Sequence, residues 1–276
     1  MSNISPIDGR YKKNVSELET FFSEQALMRH RVMVEVEYLL ALIEHRSFQK
    51  TRALSKKTLN SLKGLYVEFS ADHFKQIKKI EKKTNHDVNA VVVFVSEKLK
   101  KLGRGDLVPF VHFGLTSEDI NNISYSLMTQ GAVEDVMIPS VKRVLKELKA
   151  LSKKTKSLSL LSLTHGQPAT TTTLGKELAV FVSRVEREIA LIKKMKLLAK
   201  LSGATGSYAA HRVAFPDFNW PLFSKRFIKK LGLEQSPIST QIEPGDSLAE
   251  LLHSFVRINN IFSDFSLDMW LYISRN

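Results

Sequence analysis

Apolar residues recur every three or four positions over long stretches of this chain, the spacing that places side chains on one face of an α-helix. Val32, Val36, Leu39, Leu40 and Ile43 make one such face. Leu174, Leu178, Phe181, Val185, Ile189 and Ile192 make a second, extending through Met195 to Ala199, and Leu248, Leu252, Phe255, Ile258, Phe262, Phe265, Met269 and Tyr272 make a third that runs to the last few residues. No comparable alternation of period two bounded by turns stands out, so the pattern predicts an almost all-α protein. The spacing predicts helices over Ser16–Arg46, Ser55–Lys82 with a break, Asp87–Leu102, Ser117–Lys154, Thr172–Lys200, Pro221–Leu231 and from Ser247 to the end. Gly103 suits the left-handed position that closes the third of these, and Pro139 should kink or divide the fourth. The first helices, over residues 1–110, are expected to form a small domain against which a long-helix bundle, residues 111–276, packs. Helices this long carry more apolar surface than a small monomeric bundle covers, which points to a bundle continued in neighbouring subunits.

Composition narrows the possibilities. The chain has no cysteine, which removes disulfide scaffolds, thiolate metal sites and cysteine nucleophiles. Its longest uninterrupted apolar stretch, Ala90 to Val95, is far shorter than the roughly 18 residues that span a bilayer, and the polar stretch Met1 to Lys13 lacks the apolar core of a secretory signal. No membrane association and a cytoplasmic location are expected. Lys and Arg number 41 against 28 Asp and Glu, a formal net charge of +13. The lysines fall in short pairs spread along the chain, from Lys56-Lys57 to Lys229-Lys230, and no recognised nucleic-acid motif accompanies them, so a solvated surface without specific nucleic-acid binding is expected. The histidines are scattered and no His-Glu-x-x-His or carboxylate cluster occurs, so neither a metal nor another cofactor is expected.

A few polar segments break the helical period, and function concentrates on loops held by a rigid scaffold. In Ser5-Pro-Ile-Asp-Gly-Arg-Tyr-Lys12 a turn presents Arg10 and Tyr11, where arginine suits bidentate contact with phosphate or carboxylate. In Thr84-Asn-His-Asp-Val88, Asn85 or Thr84 is placed to cap a helix, with His86 and Asp87 in the first turn, where free N–H groups favour anions and Asp87 can orient His86. In His112-Phe-Gly-Leu-Thr-Ser-Glu-Asp119, Thr116 and Asp119 have capping-box spacing, and Thr116 and Ser117 offer hydroxyls at a helix N-terminus, a suitable grip for a carboxylate. Thr164-His-Gly-Gln-Pro-Ala-Thr-Thr-Thr-Thr-Leu-Gly175 packs His165, Gln167 and a threonine run between two helices and is hardest to explain as structure alone. The turn Ser202-Gly-Ala-Thr-Gly-Ser-Tyr208 is either a loose anion loop or a tight connection. Each of these segments also has a bland reading as a cap, an arm or a turn.

Taken in order, SPIDGRY, TNHDV, FGLTSEDINN, THGQPAT with LGKE, GATGSYAAH and TQIEP (Thr240 to Pro244) closely resemble the adenylosuccinate lyases, of the bacterial purine-biosynthesis type, within the fumarase/aspartase superfamily. The resemblance runs from residue 5 almost to the end. It implies β-elimination of fumarate from adenylosuccinate to give AMP, and from the succinylo-carboxamide ribotide intermediate of purine biosynthesis. By motif matching, His165 corresponds to the family's general acid, and imidazole is the side chain whose ordinary titration lies nearest neutrality. His86 assists with binding and charge balance beside Asn85 and Asp87, Thr116 and Ser117 grip a succinyl carboxylate, Gln241 holds that same end, and Arg10 and Tyr11 bind the nucleotide. The resemblance also implies a homotetramer with sites shared between subunits.

The family's base is a serine in a Ser-Ser-x-Met-Pro-x-Lys-x-Asn loop, and this chain contains no Ser-Ser pair. With the apolar period still running at Ser274-Arg275-Asn276, the expectation is an N-terminal portion of a longer enzyme, inactive by itself. Argininosuccinate lyase and fumarase are the nearest competitors, disfavoured by TNHDV and SPIDGRY. A helical scaffold or RNA-binding module without catalysis is the alternative of another class, and it predicts erosion of the polar loop positions that are all present here.

Overall fold

The computed structural model describes residues 4–45 and 54–274. The predicted end of the first helix at Arg46 and the last positions of the final helix, 275 and 276, lie outside them. The helices are α1 (Glu19–Phe22), α2 (Glu24–Glu44), α3 (Lys56–Val67), α4 (Ala71–Thr84), α5 (Asp87–Lys101), α6 (Ser117–Ala132), α7 (Ile138–Lys154), α8 (Leu174–Ile192), α9 (Ala209–Ala214), α10 (Trp220–Lys230) and α11 (Asp246–Ser274). Two short strand pairs accompany them: β1 (Ser159–Thr164) with β2 (Gln167–Thr173), antiparallel, and β3 (Leu198–Ala199) with β4 (Glu234–Gln235), parallel.

The breaks between helices have local causes. Ser23 is extended and its hydroxyl accepts the Ala26 N–H at 3.1 Å, so the first predicted helix divides there into α1 and α2, with 3₁₀ turns before it. Ser70 caps α4 in a reciprocal capping box with His73, which is the break expected in the second. Gly103 is left-handed with φ 70°, as its position after α5 predicts. Pro139 has no N–H to offer the preceding turn, and residues 133–137 wind as a π-helical turn just before it.

The described residues separate into two compact units. The first comprises residues 1–132 and 197–244. Its centre is α2, buried on nearly every side because α3, α4, α5 and α6 all pack on it, with His30, Arg31, Glu35 and Glu37 among its buried residues. Packing therefore crosses residue 110, since α6 lies against α2 within this unit. An aromatic cluster of Tyr38, Phe113, Phe215, Phe218, Trp220, Phe223 and Phe227 joins α2 to α10, with ring centroids 4.4 to 6.5 Å apart.

The second unit, residues 133–196 and 245–276, is built on α8, which packs against α7 and α11 around Leu145, Leu148, Phe181, Val182, Val185, Ile189 and Ile261. Buried Glu188 on α8 pairs with Arg257 on α11 at 2.8 Å. Two expectations fail here. The helix predicted over Thr172–Lys200 begins at Leu174 and stops at Ile192, where Lys193 and Lys194 turn the chain. The segment read as a loop between two helices is the β1–β2 hairpin, whose apolar residues are exposed or half-buried along its length, so no buried face marks its period.

Candidate active site

Most of the polar segments singled out from the sequence lie in the first unit. Asn85 is left-handed, φ 53°, and closes α4, so the cap of α5 falls to His86 and not to Asn85 or Thr84. The His86 Nδ1 accepts the Asn89 N–H at 3.2 Å, which leaves the proton of the neutral ring on Nε2. Asp87 opens α5, and its partner is Arg31: the guanidinium lies 2.7 Å from Asp87 Oδ2, while His86 Nδ1 stands 3.6 Å from Oδ1. Burial pushes the Asp87 carboxyl up, but the Arg31 charge and the Val88 N–H outweigh it and hold it below the usual value. Asn85, His86 and Asp87 line an open cleft of about 580 Å³ together with Lys78, Glu81 and Lys82.

Arg31 is a residue sequence reasoning missed. It is 3% exposed in the middle of an apolar helix, and its Nε also donates to Asn121 Oδ1 on α6 at 2.9 Å. One guanidinium thus links the start of α5 to α6. Arg31 ends the basic stretch Arg29-His30-Arg31 just before the apolar face that begins at Val32, so the sequence did not single it out.

At the start of α6, Asp119 Oδ2 accepts the Thr116 N–H at 2.9 Å, the carboxylate half of the expected capping box. The Thr116 hydroxyl instead receives Gln241 Nε2 at 3.4 Å, so two residues 125 positions apart meet side chain to side chain. Ser117 is the first residue of α6, half-buried beside them. Asp119 and Lys200, both fully buried, form an ion pair at 2.9 Å. The carboxylate also takes the N–H groups of Ser202 and Gly203, at 3.0 and 3.1 Å. Neither Asp119 as a buried ion nor Lys200 was expected.

The Ser202–Tyr208 turn proves to be a packing device. Gly206 has φ 73°, and a Cβ there would lie 2.0 Å from the Ser239 carbonyl oxygen, so only glycine lets the turn press on the segment leading to Gln241. Just upstream of Thr116, His112 Nδ1 meets the buried Glu35 Oε1 at 2.5 Å. Burial opposes its protonation, but the Glu35 hydrogen bond and charge, with the Asp119 charge, prevail and raise its pKa.

Arg10 and Tyr11 stand exposed in the N-terminal turn, the guanidinium 5.4 Å from the phenol ring centroid. His165 belongs to the second unit. It occupies the β1–β2 turn with Gly166, both at positive φ, 55° and 74°, between the paired residues Thr164 and Gln167, as a two-residue type I′ hairpin turn requires. The imidazole is exposed at the tip.

The paired lysines are exposed, except Lys78, which is half-buried in ion pairs with Glu24 and Glu81. Among the described residues no three His, Asp or Glu groups cluster as a metal site, and no helix is long and apolar enough to cross a membrane.

The chain matches a family model described as "Lyase" over residues 9–276. The chain belongs to the lyase family. Its relatives include the adenylosuccinate lyase of Escherichia coli strain K12, 40% identical over 277 residues, covering 100% of this chain and 61% of that protein. The adenylosuccinate lyase of Dictyostelium discoideum is 43% identical over 281 residues, covering 99% and 60%. The chain therefore spans about three fifths of the length of the curated relatives it matches. Among solved structures, a fumarate lyase from Mesorhizobium sp. BNC1 superposes with a TM-score of 0.74 at 18% identity, covering 94% of this chain and 57% of its own. The β-carboxy-cis,cis-muconate cycloisomerase of Acinetobacter calcoaceticus sp. ADP1 superposes at 0.70 and 20%, covering 93% and 57%. The helical architecture is thus one this chain shares with these two solved proteins.

Proposed function

We propose that this chain supplies the acid and the substrate grip of an adenylosuccinate lyase, which cleaves adenylosuccinate to AMP and fumarate and acts likewise on the succinylo-carboxamide ribotide of purine biosynthesis. The observation that carries the reading is the pairing of Thr116 with Gln241 at the N-terminus of α6, in a chain 40% identical over its whole length to the E. coli adenylosuccinate lyase. Free N–H groups and hydroxyls at a helix N-terminus, closed on one side by an amide, make a receptacle for a succinyl carboxylate.

The reaction removes a proton from the succinyl methylene carbon, breaks the bond from the neighbouring carbon to nitrogen, and returns a proton to that nitrogen. Negative charge accumulates on the carboxylate next to the deprotonated carbon, so donors fixed around that group favour the transition state over the ground state. Thr116, Ser117 and Gln241 take this part. His165 protonates the leaving nitrogen, a role suited to an imidazole exposed at a hairpin tip. His86, with its proton on Nε2, donates to the substrate, while Arg10 and Tyr11 hold the nucleotide, at its phosphate. The base belongs to a serine-bearing loop that is not among these residues. The working assembly in this proposal is a cytoplasmic homotetramer with sites shared between subunits, and it needs no metal or cofactor.

His165→Ala, introduced into the enzyme that carries this chain together with the serine loop, tests the assignment. A group acting in the transition state shows in rate, so kcat should fall by about 10²- to 10⁴-fold with KM little changed and Tm unaltered. Thr116→Ala should raise KM and also lower kcat, the latter less than His165→Ala does. A near-normal kcat for folded His165→Ala sends the acid role elsewhere, with His86 the next candidate.

A further inference from the structure

Three segments far apart in sequence, at residues 116–119, 200–203 and 241, converge on one buried ion pair. Asp119 uses both carboxylate oxygens: Oδ2 accepts the Thr116 and Gly203 N–H groups at 2.9 and 3.1 Å, and Oδ1 accepts the Ser202 N–H at 3.0 Å and the Lys200 ammonium at 2.9 Å. The ammonium's other two protons go to the main-chain oxygens of Gly203 and Gln241, each at 2.9 Å. An ammonium has three donors, and all are placed. Asn122 fixes the Lys200 backbone from both sides, accepting its N–H at 2.8 Å and donating to its carbonyl at 3.1 Å. The result is a tether with two ends. Asp119 holds the main chain of Thr116, and Lys200 holds the main chain of Gln241.

The pair also matters electrostatically. Asp119 sits within the first turn of α6, and its neighbour Glu118 feels the charges of Asp119, Glu243 and Lys200. Carboxylates gathered there would repel an incoming anion and cancel the attraction of the helix N-terminus. Lys200 is the cation buried among them. We propose that Lys200 is a positioning residue of the dicarboxylate grip: paired with Asp119, it sets the spacing of Thr116 and Gln241 and offsets the acidic charge beneath them, so that a substrate carboxylate can lie between the two. This rests on the reading of function given above.

The test compares wild type, Lys200→Met and the neutral pair Lys200→Met/Asp119→Asn in the enzyme that carries this chain together with the serine loop. Inhibition constants are measured separately for the two products. The double variant keeps a carbonyl oxygen for the Thr116 and Gly203 amides and removes both charges of the buried pair, so it serves if the single variant does not fold. In both variants the fumarate constant should rise about tenfold, the loss expected when a charge-assisted contact is misplaced, while the AMP constant stays within about twofold. A residue that merely stabilises the fold would move both constants together or neither, and either result overturns the proposal. If wild type does not cleave adenylosuccinate, the functional reading falls by itself. Calorimetry with fumarate then decides the role of Lys200: binding weakened about tenfold in the double variant supports it, and equal or absent binding in both proteins overturns it.

Discussion

His211 on α9 is 2% exposed, and its ring lies 4.5 Å from that of Trp220. The Tyr38 hydroxyl donates to the Phe113 carbonyl at 2.8 Å, so the His211 Nε2 at 3.2 Å is the donor to the Tyr38 oxygen. The proton that would make the ring cationic must then go to Nδ1, which is buried with no hydrogen-bond partner among the described residues. Burial lowers the pKa from 6.5 to about 4, with the Asp119 charge opposing and the Lys200 charge assisting. The unfolded chain therefore binds a proton that the folded chain refuses between these values. Stability from this group is complete above pH 6.5 and is lost as pH falls towards 4. At about 1.4 kcal/mol per pH unit the loss comes to about 3 kcal/mol, a substantial share of the roughly 5–15 kcal/mol that holds a domain folded. Urea unfolding at about pH 7.5 and about pH 4, compared between wild type and His211→Asn, measures it. A Trp270→Phe background leaves buried Trp220 as the sole fluorescent tryptophan, since the chain has 2. His30, also lowered by burial, and His112, raised by Glu35 against its burial and so stabilising at low pH, titrate in both proteins and cancel in the difference. Wild type should lose about 3 kcal/mol more than the variant. Identical pH dependence in the two proteins would refute the reasoning.

Gly206→Ala should cost about 2 kcal/mol or more, because the new Cβ meets the Ser239 carbonyl at 2.0 Å on a backbone with φ 73°, and thermal unfolding will show it. Gly105→Ala, with nothing within 4 Å, should leave Tm almost unchanged. Because the lysine pairs are spread over the exposed surface, binding to duplex DNA or RNA should be weak and should fall steeply with salt in a titration from low to physiological ionic strength. Tight binding that survives physiological salt would favour a scaffold role.

Helix positions were legible wherever one buried stripe recurs at helical spacing, as in α5 and α8. In α2, buried on several sides, one apolar face from Val32 to Ile43 was still enough to mark the helix. The misreadings have physical causes. The hairpin escaped notice because neither of its faces is buried, so its period carries no apolar signal, and its turn is made by His165 and Gly166 rather than by a more familiar asparagine-glycine pair. The overrun of α8 came from Leu197 and Leu198, which continue the apolar run but lie beyond a turn, Leu197 buried and Leu198 half-buried beside β4. Thr116 and Gln241, which separate motifs single out, are in contact in the fold. The Asp119–Lys200 pair was not legible, since among 41 basic residues no motif marks Lys200 as buried. Its apolar neighbours Leu197, Leu198, Ala199 and Leu201 were the only hint.

The most direct test is product analysis with adenylosuccinate, applied to this chain alone and to an enzyme in which the chain is accompanied by the Ser-Ser-x-Met-Pro-x-Lys-x-Asn loop. The account predicts equimolar AMP and fumarate from the loop-bearing enzyme and no turnover by the 276-residue chain, which has no Ser-Ser pair. Fumarate release by this chain alone would contradict the assignment of the base, and a folded loop-bearing enzyme that leaves adenylosuccinate intact would contradict the function itself.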